Sequence, residues 1–175
     1  MELIFLRSAQ VQDLDRIGQL FQEGQRVLAQ EQIPQWQDGY PQKSDADRDY
    51  QQGQLYVLTT PHKVLGTATL TTTPDPNYQQ IFAGQWLPST GNYATIHRIT
   101  IDSHYHGQHL GDFFFSNLIS QAYQQGQREL RIDTHAQNQR MQHLITKWGF
   151  EKRGIVYLDH NPQDQRLAYQ LFLQN

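Results

Sequence analysis

The sequence predicts a single α/β domain, residues 1–175, built on one mixed sheet. Two observations support this prediction. β-rich segments alternate with amphipathic helical segments through most of the chain, and two pairs of β-rich segments are joined by short turns, as in antiparallel hairpins. A chain of 175 residues can bury the core of one domain, and no repeat or linker divides it.

The first half of the chain contains a strand, two helices and a hairpin. LIFLRSA predicts the strand, and apolar residues recurring at three- and four-residue steps from Val11 to Leu28 predict a helix. After the loop QIPQWQDGYPQ, the segment SDADRDYQQG predicts a short helix capped by Ser44 and ended at Gly53. QLYVLTT and VLGTATLTTT predict the hairpin, and a polar, aromatic excursion follows from Pro74 to Gly91.

The second half alternates strand and helix and closes with a second hairpin. The β-branched segment YATIHRITI predicts a strand, and after a turn comes a helix of four to five turns that ends near Gly126. RELRIDTH predicts a strand, and NQRMQHLITKWGF predicts a helix with Asn138 as its N-cap and Gly149 at the C′ position. GIVYL and LAYQLFL form the final hairpin.

Composition excludes several classes of protein. The net charge is -3 without any run of Lys or Arg, which argues against nucleic-acid binding. The absence of cysteine excludes disulfides, thiolate metal sites and a cysteine nucleophile. No segment approaches 18 apolar residues and the N-terminus has no signal-peptide pattern, so we expect a cytoplasmic protein that does not contact a membrane.

The turn DSHYHGQHLGDFFF, which joins a strand to a helix, is the main candidate for a binding site. The N-terminus of a helix presents unpaired N–H groups and a partial positive charge, so such a turn can bind phosphate through its backbone. Gly107 and Gly111 would allow a tight turn. Taken alone, the spacing is also typical of an ordinary loop. His104, His106 and His109 suggest a metal site, but no nearby carboxylates complete one, so we predict no metal.

Residues 96–157 resemble the core of the GNAT superfamily of N-acetyltransferases. HGQHLG resembles the family's cofactor turn, Arg/Gln-x-x-Gly-x-Gly/Ala, and the segment from Asn138 to Phe150 resembles its Asn-x-x-Ala-x-x-Leu-Tyr-x-x-x-Gly-Phe helix. The order of elements matches along essentially the whole chain. The resemblance implies a mixed, mostly antiparallel sheet with splayed central strands and flanking helices. It also implies acetyl-CoA as cofactor and direct attack by a primary amine, without an acyl-enzyme.

The resemblance assigns cofactor contacts to the end of the strand, the turn and the later helix. These residues are Ile99, Thr100, Ile101, His106, Gly107, Gln108, His109, Leu110, Gly111, Asp112, Asn138, Met141 and Lys147. The chain departs from the family pattern at the turn, where His106 replaces Arg or Gln and His109 replaces Gly, which predicts weaker cofactor binding. Ile145 stands where many members carry a Tyr acid, and Thr95 stands where some carry a Glu base.

His97 matches a position at which some family members place a histidine, so we expect it to act as the general base, unless it is a structural residue of the strand. Tyr157 is a candidate acid, or the thiolate leaves unaided. Asp133 could hold an ammonium group or cap the following turn. An aromatic pocket would bind the acceptor. Its predicted residues are Trp36, Tyr40, Tyr78, Trp86 and Tyr93.

The aromatic pocket favours a small-molecule amine as the acceptor. Two alternatives stay open at this point: a catalytically weak acyl-CoA-binding or regulatory module, and an acetyltransferase acting on protein N-termini or lysines. The resemblance also allows a homodimer, since dimers are frequent in the family.

Overall fold

The computed structural model describes residues 2–89 and 92–173, so Gly91, the end of the predicted excursion, lies outside the described residues. The elements follow one another in the predicted order. The strands are β1 (Phe5–Ser8), β2 (Leu55–Thr59), β3 (Val64–Thr71), β4 (Ala94–Ile101), β5 (Glu129–Thr134), β6 (Glu151–Tyr157) and β7 (Gln165–Phe172). The helices are α1 (Leu14–Gln30), α2 (Lys43–Gln51), α3 (Leu110–Gln124) and α4 (Gln139–Lys147).

The strands form one seven-stranded sheet in the order β1-β2-β3-β4-β5-β7-β6. The pairs β1–β2, β2–β3, β5–β7 and β6–β7 are antiparallel, and the pair β4–β5 is parallel. In the part of the chain that the structure describes, β4 and β5 pair only through Ala94 with Leu130 and Thr95 with Arg131. The predicted fold class, a mixed α/β sheet with two hairpins, is confirmed.

The residues cluster into two compact units. Unit 1 comprises Met1–Leu70 and His97–Leu118, and unit 2 comprises Thr71–Ile96 and Ile119–Asn175. Strand β4 and helix α3 therefore contribute residues to both. The extent of the domain, residues 1–175, stays a prediction.

Unit 1 is built around the apolar face of α1. Ile17, Leu20 and Phe21 recur at helical spacing and are fully buried in a cluster with Leu55 and Val57 of β2. This packing confirms the helix that the apolar periodicity predicted.

The predicted N-cap of α2 was wrong. The N-cap is Gln42, whose backbone amide donates to Asp45 Oδ2 at 2.8 Å in a capping box, and Ser44 lies inside the first turn. The predicted end is confirmed, because Gly53 follows the helix with φ +68.

Unit 2 contains the excursion, which pairs with the outermost strand of the sheet. The backbone groups of Phe82 and Ile155 exchange two hydrogen bonds of 2.8 Å, and the amide of Gln85 donates to the carbonyl of Arg153 at 3.1 Å. A Cβ on Gly84 would collide with the carbonyl oxygen of Arg153, so only glycine fits at this position. The excursion thus extends the sheet beyond β6.

The predicted caps of α4 are confirmed. Asn138 is the N-cap, and its Oδ1 accepts a hydrogen bond from the amide of Met141 at 3.1 Å. Gly149 has φ +83, the left-handed conformation of the C′ position. No helix within residues 2–89 and 92–173 is long and apolar enough to span a membrane.

Candidate functional site

The turn between β4 and α3 folds tightly at its beginning. A 3-10 turn, Ser103–Tyr105, follows β4, and the amides of His106 and Gln108 donate to the carbonyls of Ser103 and Tyr105 at 3.2 and 3.3 Å. Gly107 has φ +79, and Leu110 begins α3. The backbone therefore reverses direction within a few residues and points directly into a helix.

The second part of the turn presents backbone amides that lack protein acceptors. Among the described residues, no hydrogen-bond acceptor faces the amides of Gly107, His109, Leu110 and Gly111, while Phe113 donates the first helical bond to the carbonyl of His109 at 3.3 Å. These amides lie at the positive end of the α3 dipole. The arrangement fits a phosphate or pyrophosphate group bound by backbone N–H groups.

His109 adopts the conformation that the family's glycine would provide. Its φ is +59, a left-handed value that costs a non-glycine residue about 1–2 kcal/mol. Its side chain is 88% exposed, and Nδ1 lies 3.8 Å from Asp112 Oδ2. The turn therefore keeps the shape of a glycine-containing turn at the expense of backbone strain.

Asp102 anchors the turn to α1. Its Oδ1 accepts from the amide and Nδ1 of His104 at 3.0 and 2.8 Å, and its Oδ2 accepts from Arg16 Nη2 at 2.7 Å. Burial raises the pKa of this carboxyl, but the hydrogen bonds from His104 and the charge of Arg16 lower it more, so its pKa lies below the ordinary value. Sequence reasoning missed this residue, although an Asp directly after a strand and before a turn is a common capping signal.

The histidines of the turn are separate from one another. His104 contacts Asp102, and His109 contacts Asp112. Within the described ranges, no group of three or more His, Cys, Asp or Glu side chains could hold a metal ion.

Strand β4 carries His97 and a backbone kink at the next residue. His97 is half-buried, as are Ile99, Thr100 and Ile101. Arg98 has φ +52 inside the strand, which interrupts the alternation of side chains. The predicted catalytic and cofactor-binding residues of β4 therefore flank an irregular point of the strand.

A buried ion pair accompanies the kink. Arg98 Nη2 and Nε lie 2.6 and 2.9 Å from Asp49 Oδ2 of α2, and Thr69 Oγ1 of β3 donates to the same oxygen at 2.6 Å. Burial lowers the pKa of Arg98, but the neighbouring oxygens of Tyr40 and Asp49 raise it above its ordinary value. Sequence reasoning missed Arg98 and Asp49, because the pair joins residues that are distant in the chain.

Both aromatic residues of the loop between α1 and α2 contact the surroundings of β4. The Tyr40 hydroxyl accepts from Arg98 Nη1 at 2.5 Å. Trp36 stacks edge-on against Phe21, with ring centroids 6.4 Å apart. A Cβ on Gly24 of α1 would lie only 3.0 Å from Trp36 Cζ3 and 2.9 Å from Thr100 Oγ1. The structure therefore brings Trp36, Tyr40 and Thr100 together within unit 1.

The aromatic residues predicted from the excursion and its flank pack into unit 2. Tyr78 is 1% exposed, and its ring centroid lies 5.5 Å from that of Trp86 and 6.3 Å from that of Tyr93. The Arg131 guanidinium lies 4.4 and 4.0 Å from the centroids of Trp86 and Tyr93. These contacts describe a packing role, and the acceptor-binding role predicted for the three residues stays a prediction.

Asp133 already has polar partners. Its Oδ2 accepts from the hydroxyl of Tyr78 at 2.6 Å, and its Oδ1 lies 3.9 Å from Arg166 Nε. Burial, followed by the charge of Asp133, raises the pKa of Tyr78 well above its ordinary value. The carboxylate is therefore part of a buried network, and the ammonium-binding role predicted for it is untested.

Tyr157 lies at the end of β6, with its ring centroid 5.0 Å from that of Phe82. Because β7 separates β6 from β5, the backbone of Tyr157 lies roughly 10 Å from the axis of β5, by the usual strand spacing. Its role as the acid stays a prediction.

The residues predicted on and near α4 occupy its N-terminal turn and its exposed end. Asn138 is 8% exposed, Met141 is half-buried and Lys147 is exposed. Ile145 is fully buried, so an apolar side chain fills the family's Tyr position. Thr95 is also fully buried, and its Oγ1 has no hydrogen-bond partner among the described residues.

Comparison with known proteins identifies the family. The sequence model of the acetyltransferase (GNAT) family matches residues 21–150, more than half of the chain, and the chain therefore belongs to this family. No curated protein sequence matches the chain. A GNAT acetyltransferase from Streptococcus agalactiae is similar in structure at a TM-score of 0.87 and 31% identity, covering 98% of this chain and 96% of that one.

Two further solved structures share the fold. A Staphylococcus aureus protein assigned to the acetyltransferases has a TM-score of 0.72 at 25% identity, covering 97% of this chain and 99% of that one. A Salmonella typhimurium protein solved with its cofactor acetyl-CoA has a TM-score of 0.70 at 16% identity, covering 98% and 95%.

Family membership defines the class of reaction. The protein is an acyl-CoA-dependent N-acetyltransferase whose cofactor is acetyl-CoA and whose acceptor is an amine. The amides of the turn fit this cofactor, because acetyl-CoA carries a pyrophosphate and the turn offers several N–H groups without protein acceptors.

Proposed function

We propose that the protein acetylates the primary amine of a small molecule by direct attack. The observation that carries this proposal is the attachment of the loop between α1 and α2 to β4. Trp36 packs against Gly24 next to Thr100, and Tyr40 accepts a hydrogen bond from Arg98. A loop held at two points leaves less room for a polypeptide than an open loop would.

The cofactor would be held mainly by backbone groups. The amides of residues 107 and 109–111 would bind the pyrophosphate, and the backbone of Ile99, Thr100 and Ile101 would pair with the pantetheine arm. His106, Gln108, Asp112, Asn138, Met141 and Lys147 would complete the contacts. Acetyl-CoA supplies the acetyl group as a thioester that an amine can attack without an acyl-enzyme.

His97 would accept the proton that the acceptor ammonium must lose. A half-buried imidazole suits this transfer, directly or through water, because neutral imidazole accepts a proton on its ring nitrogen. No acid is required if the thiolate leaves unaided, and the position of Tyr157 on the outer strand favours that alternative. A cytoplasmic location and a homodimer stay predictions.

Thermal unfolding with acetyl-CoA tests the cofactor site. At a ligand concentration of about 100 times Kd, linkage predicts about 2.7 kcal/mol of stabilisation. For a domain of this size this corresponds to a rise of roughly 5–10 °C in Tm. Gly111→Trp should abolish the rise, while Ser120→Trp, at an exposed position further along α3, should preserve it. An unchanged Tm of the wild-type protein at millimolar acetyl-CoA would contradict the proposed binding of the cofactor by this turn.

Thiol release from acetyl-CoA, measured with a panel of small primary amines and of peptides, tests the acceptor. Turnover with small amines is expected. Preferential acetylation of peptide N-termini or lysines would replace the proposal with a protein acetyltransferase, and cofactor binding without any turnover would indicate an acyl-CoA-binding or regulatory module. His97→Gln should lower kcat by about 10²–10⁴-fold if it is the base. An unchanged kcat would make His97 a structural residue.

A further inference from the structure

Helix α1 carries a half-buried carboxylate, Glu23, whose hydrogen-bonding capacity the protein satisfies only in part. Glu23 Oε1 accepts a hydrogen bond from Arg16 Nη1 at 2.7 Å. Glu23 Oε2 is buried as well, yet no hydrogen-bond donor from the described residues faces it. Buried carboxylate oxygens are normally paired, because leaving one without a donor is costly. The unpaired oxygen therefore points to a ligand that carries N–H groups.

Glu23 shares its arginine with a second carboxylate. Arg16 binds Glu23 through Nη1 and Asp102 through Nη2, both at 2.7 Å, so two carboxylates share a single guanidinium. His104, which contacts Asp102, has a side chain that is 84% exposed to solvent. Lys63 interacts electrostatically with Asp102 and Arg16, but its Nζ lies over the ring of Tyr105, 4.5 Å from the ring centroid. A cationic ligand group would complete the balance at Glu23.

The residue after Glu23 in α1 lies beside an aromatic side chain. The next residue, Gly24, lies against Trp36 and Thr100. Thr100 precedes Asp102 by two residues on the same segment of chain, and Asp102 contacts the same arginine as Glu23. The carboxylate is thus close in the chain to an aromatic contact, and it is tied to the end of β4, where the cofactor is expected.

We propose that Glu23 Oε2 accepts N–H from the ammonium group of the acceptor while Trp36 packs against its apolar part. The acceptor would then be a cationic amine with an aromatic or aliphatic body and no carboxylate of its own, because a second anion would be repelled by Glu23 and Asp102. This inference rests on the proposed function, in which the acceptor is a small-molecule amine. It assigns a role in recognising that amine to a residue of α1.

Binding measurements on the CoA-saturated protein test the assignment without requiring turnover. The probes are 2-phenylethylamine, tyramine, tryptamine and hexylamine, with 2-phenylethanol as an uncharged counterpart, titrated by calorimetry. Glu23→Gln preserves shape and removes the charge, so it should weaken the tightest amine by about 10–100-fold. Its affinities for 2-phenylethanol and acetyl-CoA should not change. Glu31→Gln, at an exposed position just after the same helix, is the control and should bind all probes like the wild type.

Glu23→Asp provides a second variant, which keeps the charge and should retain more amine affinity than Glu23→Gln. Equal amine affinity in the wild type and Glu23→Gln would overturn the inference, as would a loss confined to acetyl-CoA, or no binding of any amine to the wild type. Amine binding that depends on Glu23 without acetylation would support this site while ending the proposed function. If the protein acetylates an amine with a KM that Glu23→Gln leaves unchanged, the proposed function would stand and the role of Glu23 would be wrong.

Discussion

At the scale of single residues, two of the four described non-glycine residues of unit 1 that have positive φ lie on β4 and in the turn after it. Arg98 and His109 have φ values of +52 and +59. At Arg98 the buried contacts with Asp49, Tyr40 and Thr69 offset the strain, whereas the side chain of His109 is largely exposed. The two sites should therefore respond differently to substitution.

His109→Gly should stabilise the protein in the absence of ligand. Removal of the left-handed strain is worth about 1–2 kcal/mol, and the greater freedom of glycine in the unfolded chain takes back about 0.4–1 kcal/mol. Urea unfolding checks the change. Gly107→Ala is the matched control. A Cβ at residue 107 would meet no other atom, but φ is +79, so the Gly107→Ala protein should be less stable than the wild type. An equal effect of both substitutions would contradict this account of the turn.

Breaking the Arg98–Asp49 pair should be costly. Asp49→Leu leaves the largely buried guanidinium of Arg98 without its carboxylate partner, which predicts a loss of about 3–5 kcal/mol. The double variant Asp49→Leu with Arg98→Met removes both charges and should recover much of the loss, as measured by chemical denaturation of the three proteins. A double variant as unstable as the single one would mean that the pair does not act as a unit.

Asp102 should contribute stability that depends on pH. Its pKa is lower in the folded protein than in the unfolded chain, where it is about 3.9. The carboxylate therefore stabilises the protein at neutral pH, and this contribution is lost as the pH falls through the folded-state value. Asp102→Asn should cost about 1–3 kcal/mol at neutral pH, and the difference from the wild type should shrink in acid. A difference that is constant with pH would exclude this linkage.

Local rules predicted some residues well and failed at others for a physical reason. Asn138 and Gly149 were identified because caps depend on residues a few positions away. Ser44 is of a residue type that often caps helices, but α2 begins two residues earlier than predicted, with Gln42 as its N-cap in a capping box with Asp45. Arg98 pairs with Asp49, which is 49 residues away in the chain, and no local pattern encodes such a contact.

At the scale of elements, α1 has two glycines with different reasons for lacking a side chain. A Cβ on Gly18 would meet the Cβ of Lys43 at 3.3 Å, whereas a Cβ on Gly24 would press on Trp36 and Thr100 at 3.0 and 2.9 Å. Gly24 therefore serves the contact between α1, the following loop and β4.

Gly18→Ala should gain up to about 1 kcal/mol of helix propensity, reduced by the cost of shifting the start of α2 by a few tenths of an ångström at Lys43. Gly24→Ala should show no such gain and should weaken amine binding several-fold by displacing Trp36. Calorimetry with the amine probes and thermal unfolding check both variants. If Gly24→Ala bound amines like Gly18→Ala, Trp36 would have no part in the acceptor site.

The order and type of the elements were predictable because each long segment has a clear period, and short turns limit hairpin pairing. The excursion was harder to interpret. Its aromatic residues suggested a pocket wall, but its backbone joins β6 through Phe82 and Gln85, and Gly84 makes the approach feasible. Such pairing requires a strand more than 60 residues further along the chain, and no local pattern identifies that partner.

At the scale of the whole molecule, the two units share secondary-structure elements. Strand β4 and helix α3 contribute residues to both, so one unit cannot unfold completely without disrupting a strand and a helix of the other. We therefore expect a single cooperative transition. Trp36 lies in unit 1, and Trp86 and Trp148 lie in unit 2, which gives each unit its own fluorescent reporter.

Urea unfolding followed by fluorescence checks this expectation in two proteins. One is Trp36→Phe, and the other is the double variant Trp86→Phe with Trp148→Phe. In each protein, the unfolding midpoint measured from the fluorescence of the remaining tryptophan residues should equal the midpoint measured by circular dichroism. Fluorescence that changes before the backbone signal in one variant would reveal a unit that unfolds on its own.

The pairing of the excursion with β6 also bears on how the protein behaves when concentrated. An outer strand with unused backbone groups can recruit the same strand from another molecule and begin a fibre. Here Phe82 and Gln85 already occupy backbone groups of Ile155 and Arg153, and β1, at the other edge of the sheet, is only four residues long. Because Gly84 has no side chain, the excursion can pair with β6, and this pairing should protect the protein from aggregation. A side chain at that position would reopen the edge, and crowded solutions of the protein would then scatter light.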